Sequence, residues 1–432
     1  MKLLSFVTVV LFLSVLLTSC KKGNPIPPEQ QAQLSLALED VSCTEAWVKL
    51  STANISFPAN VELLKDDKPI KTISLASQDT VLYIDSLLPN KTYNFTSLIH
   101  TPDGAINNSI PVTTLDTTSH NFTWQTWTFG GDAGSCELRD VAIINPNNIW
   151  AVGDIDIADT SINGYTTYNA IHWNGVEWEL LRVQFYIFCG QQSTGTYPAK
   201  AILAFSDNDI WIAAGSQITH LNGVNQISID CIPVSVNKLW GNTVDDFYAV
   251  GYNGKIAHYQ NAQWTRIESG TDADITDIWG SSLSESNQSK IYCSVPSGLD
   301  PSKRRILTIN ESNNTDSVPC NGNIVSSVWA TPSGIIYTSG GGIYTNKSGS
   351  WEKEIVFPDY YTYRVRGNGL NDIFVCGNYG FLGHYNGKKW KVYPEFIQQS
   401  YIHFLSVNLK DDIIAIVGVS GESALIILGE RN

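Results

Sequence analysis

A short unit returns along this chain at intervals of roughly forty residues, and that periodicity restricts the fold more than any other feature. Each copy has a small acid or amide, an aliphatic, an aromatic, and then small residues ending in glycine. The copies read Asn148-Ile149-Trp150-Ala151-Val152-Gly153, Asp209-Ile210-Trp211 up to Gly215, Asp246-Phe247-Tyr248-Ala249-Val250-Gly251, and Asp372-Ile373-Phe374-Val375 up to Gly377. A fixed period of this size predicts a stacked or circular array of small sheets. With the aromatic as marker, further copies fall at Tyr292 and Tyr337, and a seventh near Ile414. The long interval between Trp150 and Trp211 predicts an insertion in the first repeat.

A second unit keeps the same register. It reads His172-Trp173-Asn174-Gly175 up to Trp178, and His384-Tyr385-Asn386-Gly387 up to Trp390. His258-Tyr259-Gln260-Asn261 and His220-Leu221-Asn222-Gly223 are variants. Asn-Gly between apolar runs is a hairpin signal, since both residues accept positive φ. It places a tight turn between the third and fourth strands of each repeat. The last repeat has only three runs, Phe404 to Val407, Ile413 to Val417 and Ala424 to Leu428. Upstream of the first repeat lies an unpaired run, Phe122 to Phe129, containing Trp124 and Trp127. We expect it to complete the last sheet, because closure removes the two exposed edges. The expected fold is all-β: an N-terminal β-sandwich, then a seven-bladed β-propeller closed by an N-terminal strand.

The first residues read as a targeting segment. Lys2 precedes an apolar stretch from Leu3 to Leu17, which is too short for an ordinary membrane span. Leu17-Thr18-Ser19-Cys20 resembles the lipobox of bacterial lipoproteins, which implies cleavage before Cys20 and lipidation of its thiol. The polar, Pro-rich run after Cys20 reads as a tether. The expected division is 1–19 signal peptide, 20–31 tether, 32–117 sandwich and 118–432 propeller. The expected location is the cell envelope, lipid-anchored at the outer membrane.

Residues 32–117 alternate with period two in short runs, including Ala46-Val48-Leu50, Val61-Leu63 and Val81-Tyr83. Leu87-Leu88-Pro89-Asn90-Lys91-Thr92-Tyr93 resembles the tyrosine corner of fibronectin type III domains, with Val112-Thr113-Thr114-Leu115 as that family's last strand. The resemblance implies a spacer or adhesion module without catalytic residues. The repeat region, through Trp240-Gly241, Trp279-Gly280 and Ser269-Gly270-Thr271, resembles secreted propellers with sialidase-like or photosystem-assembly-factor-like repeats. Thr345-Asn346-Lys347-Ser348-Gly349-Ser350-Trp351 lacks the Asp of the sialidase-like turn, which argues against that chemistry.

Composition narrows the partners. A net charge of −14 is repelled by polyphosphate, so nucleic acid is excluded as an expected ligand. Of the eight cysteines, Cys20 is assigned to lipid. Cys136, Cys189 and Cys231 fall in neighbouring connections, where either a Cys189–Cys231 or a Cys136–Cys189 disulfide would fit. Cys293 and Cys376 read as core thiols.

Few residues suggest chemistry. The histidines His172, His220, His258 and His384 occupy equivalent places on separate blades, so they read as structural rather than metal-binding. Asp154, Asp156 and Asp159 form a loop string that could face Ca²⁺, but without the glycine and distal Glu of a full calcium loop. Asp272, Asp274 and Asp277 repeat that spacing, and solvated loop acids are the simpler reading of both strings. No catalytic residue or other cofactor is assigned. Tyr197, Tyr360, Tyr361, Tyr363, Phe396 and Tyr401 fall in blade-to-blade connections and form the candidate ligand-binding set. The expected role is non-enzymatic binding of an envelope protein or glycan through the loop face. The alternatives are a glycosidase-like enzyme using loop carboxylates, or an assembly factor.

Overall fold

The computed structural model describes residues 31–101, 104–282, 289–320, 323–397 and 401–432. The signal segment and Cys20 lie outside the described residues. Seven strands form the N-terminal unit: β1 (Gln33–Val41), β2 (Ala46–Ala53), β3 (Ala59–Lys65), β4 (Lys68–Leu75), β5 (Asp79–Ile84), β6 (Thr92–Thr101) and β7 (Gly104–Thr113). They make two antiparallel sheets ordered β1-β2-β5 and β4-β3-β6-β7. Period-two alternation sends Val48, Leu50, Val61, Leu63 and Phe95 into the space between the sheets, where all are buried. At the corner before β6, the Leu88 N–H donates to Tyr93 Oη at 2.9 Å, and Thr114 Oγ1 donates to the Leu88 carbonyl at 2.6 Å.

Among the described residues, seven four-stranded antiparallel sheets follow. The second strand of each carries the marker expected from the repeat, from Trp150 in Asn148–Ala158 to Ile414 in Ile413–Ser420. The strand β8 (Phe122–Phe129) pairs antiparallel with the last strand, Ser423–Arg431, over eight residue pairs from Ala424↔Phe129 to Arg431↔Phe122. The chain's last sheet is thus completed by its upstream run, and the ring is closed. The extra length of the first repeat divides between two places. One part lengthens the hairpin after Trp150, and the other forms an added hairpin, Gln184–Tyr186 with Thr194–Thr196.

One local expectation needs correction. The Asn174-Gly175 and Asn386-Gly387 turns do not use positive φ at both residues. Gly175 and Gly387 have it, while Asn174 and Asn386 accept the backbone N–H groups two and three residues on through their side chains. The two-residue turn with both positions at positive φ occurs instead at Asn261-Ala262, without glycine. The recurring Trp-Gly pair has a packing cause. A Cβ placed on Gly280 would lie 2.1 Å from the Trp240 ring of the preceding blade. Trp279 in turn donates its Nε1–H to the Ala330 carbonyl of the blade after.

The sandwich is docked on the propeller. Trp47, on β2, donates its indole N–H to the Lys347 carbonyl at 2.9 Å. It belongs to one apolar cluster with Trp329, Ile335, Tyr337 and Tyr385. Glu45 pairs with Lys347 at 3.4 Å, and Asn371 donates to the Asp116 carbonyl at 2.8 Å. Cys43 is buried at the same joint, its thiol facing the Asp116 and Asn386 carbonyls. Burial, then Glu45 and Asp116, push that thiol up to about 12. Replacing Trp47 by Ala should cost about 3–5 kcal/mol. Calorimetry should then show the sandwich melting apart from the ring, with new protease cleavage within residues 114–121. A single unshifted transition would show that this joint does not hold the two units together.

Candidate functional site

The repeated histidines are explained within each blade. His172 stacks on Trp150, His220 on Trp211, His258 on Tyr248 and His384 on Phe374, with ring centroids 4.5, 4.1, 4.0 and 4.2 Å apart. Each pair sits directly opposite across the second and third strands. The Nε2 of three of them hydrogen-bonds to the acid or amide that opens the repeat, Asn148 at 3.0 Å, Asp246 at 2.6 Å and Asp372 at 3.0 Å, while His220 Nε2 lies 3.3 Å from Asp209 without hydrogen-bonding geometry. The sequence unit is therefore a tied and stacked triplet that fixes strand register. Thr308 and Thr345 take the histidine's place opposite Tyr292 and Tyr337. Among the described residues no group of three His, Cys, Asp or Glu could hold a metal ion.

One triplet is extended. His120, in the linker to β8, places its Nδ1 2.8 Å from His384 Nδ1. Asp372 accepts from His384 Nε2, so His384 Nδ1 is the acceptor and His120 donates. Arg431, near the end of the chain, also reaches Asp372 at 2.6 Å and the Ser119 carbonyl at 2.7 Å. Burial, then His384 and Lys391, push His120 down to about 4, and burial lowers His384 as well.

The innermost strands carry a group of charges that the sequence reading missed. Lys238 Nζ lies 2.5 Å from Asp140 Oδ1, and Asp140 also accepts from Ser406 Oγ and the Ile202 N–H. One carboxylate thus joins blades 7, 1, 2 and 3. Asp277 does the same for blades 4, 5 and 6. It accepts two bonds from Arg366, at 2.7 and 2.9 Å, with further bonds from Ser327 Oγ and the Val328 N–H, and it pairs with Arg364. All five charged side chains are at most 9% exposed. Asp277 stands against a burial cost that would raise it, yet Arg364 and Arg366 hold it well below the usual carboxylate range. It was expected to be a solvated loop acid. It opens the strand Asp277–Ser282 instead and is fully buried.

The loop carboxylates of the first blade lie in its lengthened hairpin. Asp156 accepts from Thr167 Oγ1 at 2.5 Å, and Asp159 from the Ser161 N–H at 2.9 Å and from Thr166 Oγ1. Asp154 is raised by burial and by the neighbouring Asp156. Asp159 is lowered by its bonds to Ser161 and Thr166.

In a four-stranded meander, second-to-third turns and blade-to-blade connections share one end of the sheet, and the other two turns share the opposite end. The sandwich contacts Lys347, Asn371 and Asn386 at that opposite end, so it leaves the loop face uncovered. Five of the six candidate aromatics lie in connections of the loop face, in different settings, and Tyr363 lies just inside the strand Thr362–Gly369. Tyr197 and Tyr401 are exposed, on opposite sides of the chain order. Tyr360 packs edge-on against Tyr379, and Tyr361 against Tyr363 and Ser326. Phe396 is not a surface platform: it packs on Trp124, Tyr393 and Phe404 between the last two blades. The reading missed Ile162, Phe188, Leu299, Ile355 and Phe357, which are exposed in connections of the same face. Loop residues carry no periodicity, so nothing in the pattern marked them. Cys189 and Cys231 are bridged, tying the added hairpin to the end of the second blade, and Cys136 is a buried free thiol.

Two predictions follow from these charges. Asp277→Asn leaves two arginines without their carboxylate and should cost about 3–5 kcal/mol, read from denaturant midpoints. Below pH 6.5 the unfolded chain protonates histidines that the fold keeps neutral. Stability should therefore decline as pH falls from about 6.5, and the share due to His120 should be fully lost near 4. Midpoints of wild type and His120→Phe, compared across that range, check this; equal slopes would remove the assignment.

No protein-family model matches the chain, and no curated protein matches it. Among solved structures, YCF48 bound to a D1 peptide superposes with a TM-score of 0.52 at 14% identity, over 73% of this chain and 100% of its own. YCF48 from Cyanidioschyzon merolae gives 0.48 at 13% identity, over 71% and 98%. The Dos1 propeller gives 0.49 at 10% identity, over 71% and 95%. At such identities the likeness is one of fold, and the fold it shares with this chain is the β-propeller.

Proposed function

We propose that this chain is a lipid-anchored protein of the cell envelope that binds a protein partner through the loop face of its propeller. The observation that carries this reading is the distribution of exposed apolar side chains. Ile162, Phe188, Leu299, Ile355, Phe357 and Tyr401 stand in solvent on the face that the sandwich leaves open. Single exposed apolar residues are ordinary, whereas a set gathered on one face is characteristic of an interaction surface. YCF48 shares the propeller fold and was solved with a peptide of D1, which supports a peptide-binding use of such a ring by analogy of fold. The Cys189–Cys231 bridge supports an oxidising compartment, and the lipobox-like Cys20 supports anchorage. The sheet order and Tyr93 corner of the sandwich support a fibronectin type III-like spacer that holds the ring away from the membrane.

Glycosidase-like chemistry finds less support. Such a mechanism needs one carboxyl group protonated near neutral pH. At the axis, Asp140 and Asp277 are both paired with cations, and Asp277 is held strongly acidic.

A photo-crosslinking residue at Phe357 or Tyr401 should trap a protein in intact envelopes, while one at Val176 or Val224, exposed on the opposite face, should not. Equal trapping from both faces would refute the reading. Cys20→Ser should move the protein from the membrane fraction to the soluble fraction; retention on the membrane would refute the anchor.

A further inference from the structure

The axial charges do not balance. Lys238, Arg364 and Arg366 are three cations, and Asp140 and Asp277 are two carboxylates, so one positive charge is left over among side chains that are at most 9% exposed. The whole protein is acidic, at −14, yet among the described residues no other carboxylate is ion-paired with this group. Among the described residues Lys238 pairs with Asp140 and Arg364 with Asp277. The two halves also sense each other: Arg364 and Arg366 act on Lys238, and Asp140 acts on Arg364.

Hydrogen bonding shows the same surplus. Asp277 accepts from Arg366 twice, from Ser327 and from the Val328 N–H, and is ion-paired with Arg364, which leaves little capacity on its oxygens. Asp140 accepts from Lys238, Ser406 and the Ile202 N–H. Arg364 is 8% exposed, yet its Nε is buried with no acceptor. Lys238 is 7% exposed, and its ammonium, with three N–H donors, meets one acceptor, Asp140. A water molecule could accept these bonds but could not cancel the charge. A buried unpaired cation is costly enough that it is normally paired or neutralised.

We propose that the axis of the propeller binds one monovalent anion, a carboxylate head or a halide, between Arg364 and Lys238. The charge count selects the valence. One negative charge brings the group to neutrality, whereas a dianion such as sulfate would overshoot and leave the same imbalance with the sign reversed. The site lies toward the loop face. Asp277 is the first residue of its strand, and Lys238 and Arg364 are the third of theirs, where the strands enter from the blade-to-blade connections. The proposal does not depend on the protein partner of the loop face. A free anion can fill the site, and so can a carboxylate carried by whatever docks there.

The test uses the full chain at pH 7 in low-salt zwitterionic buffer. Thermal midpoints are followed while sodium acetate or sodium chloride replaces sodium sulfate at constant ionic strength. Wild type should show a saturable rise on the order of a few degrees. Lys238→Met and Arg364→Gln each make the group neutral by a different route, and both should lose the saturable part; either one that folds suffices. Saturation by acetate alone assigns a carboxylate site, and saturation by both anions assigns a site open to halides as well. A wild type that does not distinguish monoanions from sulfate, or variants that respond as wild type does, would overturn the proposal. Titration calorimetry with acetate gives a second readout: measurable heat in wild type and none in Arg364→Gln. Equal heats would likewise overturn it.

Discussion

Closure of the ring is the constraint on which the rest of this structure depends. Without its upstream run the last sheet would stop at Ser423–Arg431 and leave that strand's outer N–H and C=O groups unpaired. Pairing with Phe122–Phe129 satisfies them and ties the residues before the first blade into the last one. It also places the linker against the end of the chain, where His120, Ser119, Asp372, His384 and Arg431 meet. The two ends of a long chain are thus held together by backbone pairing and by a small buried polar group. Loss of either should be felt around the whole circle, because the first and last blades would lose the strand that ties them.

Inside that circle the blades are joined by charge as well as by apolar packing. Burying five ionised side chains is unfavourable in itself, and such pairs are often worth no more than well-packed hydrophobics. Their value here is geometric. Innermost strands converge at the axis, and a carboxylate with several acceptor positions can take donors from three or four strands at once. Asp140 and Asp277 do this for the two arcs of the ring. Larger apolar side chains would fill the space without fixing which blade faces which. The residual positive charge left by this arrangement gives the proposed anion site its basis.

Much of the architecture was legible in the chain because local patterns repeat. The acid, the aromatic two residues later and the histidine of the third strand recur because they form one tied, stacked contact in several blades. The three-stranded last repeat and the Trp-led upstream run matched because each lacked what the other supplied. The Tyr93 corner was visible because its residues are close in sequence. The axial cluster was not legible. Asp140, Lys238, Asp277, Arg364 and Arg366 are scattered across four repeats, without a shared spacing, and nothing local distinguishes Asp277 from its solvated neighbours Asp272 and Asp274. Phe396 was misread for a related reason: a connection residue reads as exposed until the neighbouring blade is seen to cover it.

The sequence by itself determined the all-β character, the seven-part division and the closing strand. Each of these rests on periodicity or on contiguous residues, and a linear text displays both. Only the tertiary structure decided which charges are buried, which face the sandwich covers through Trp47, and which cysteines are bridged. Those outcomes depend on where distant strands converge once the ring shuts, and no stretch of chain carries that information alone.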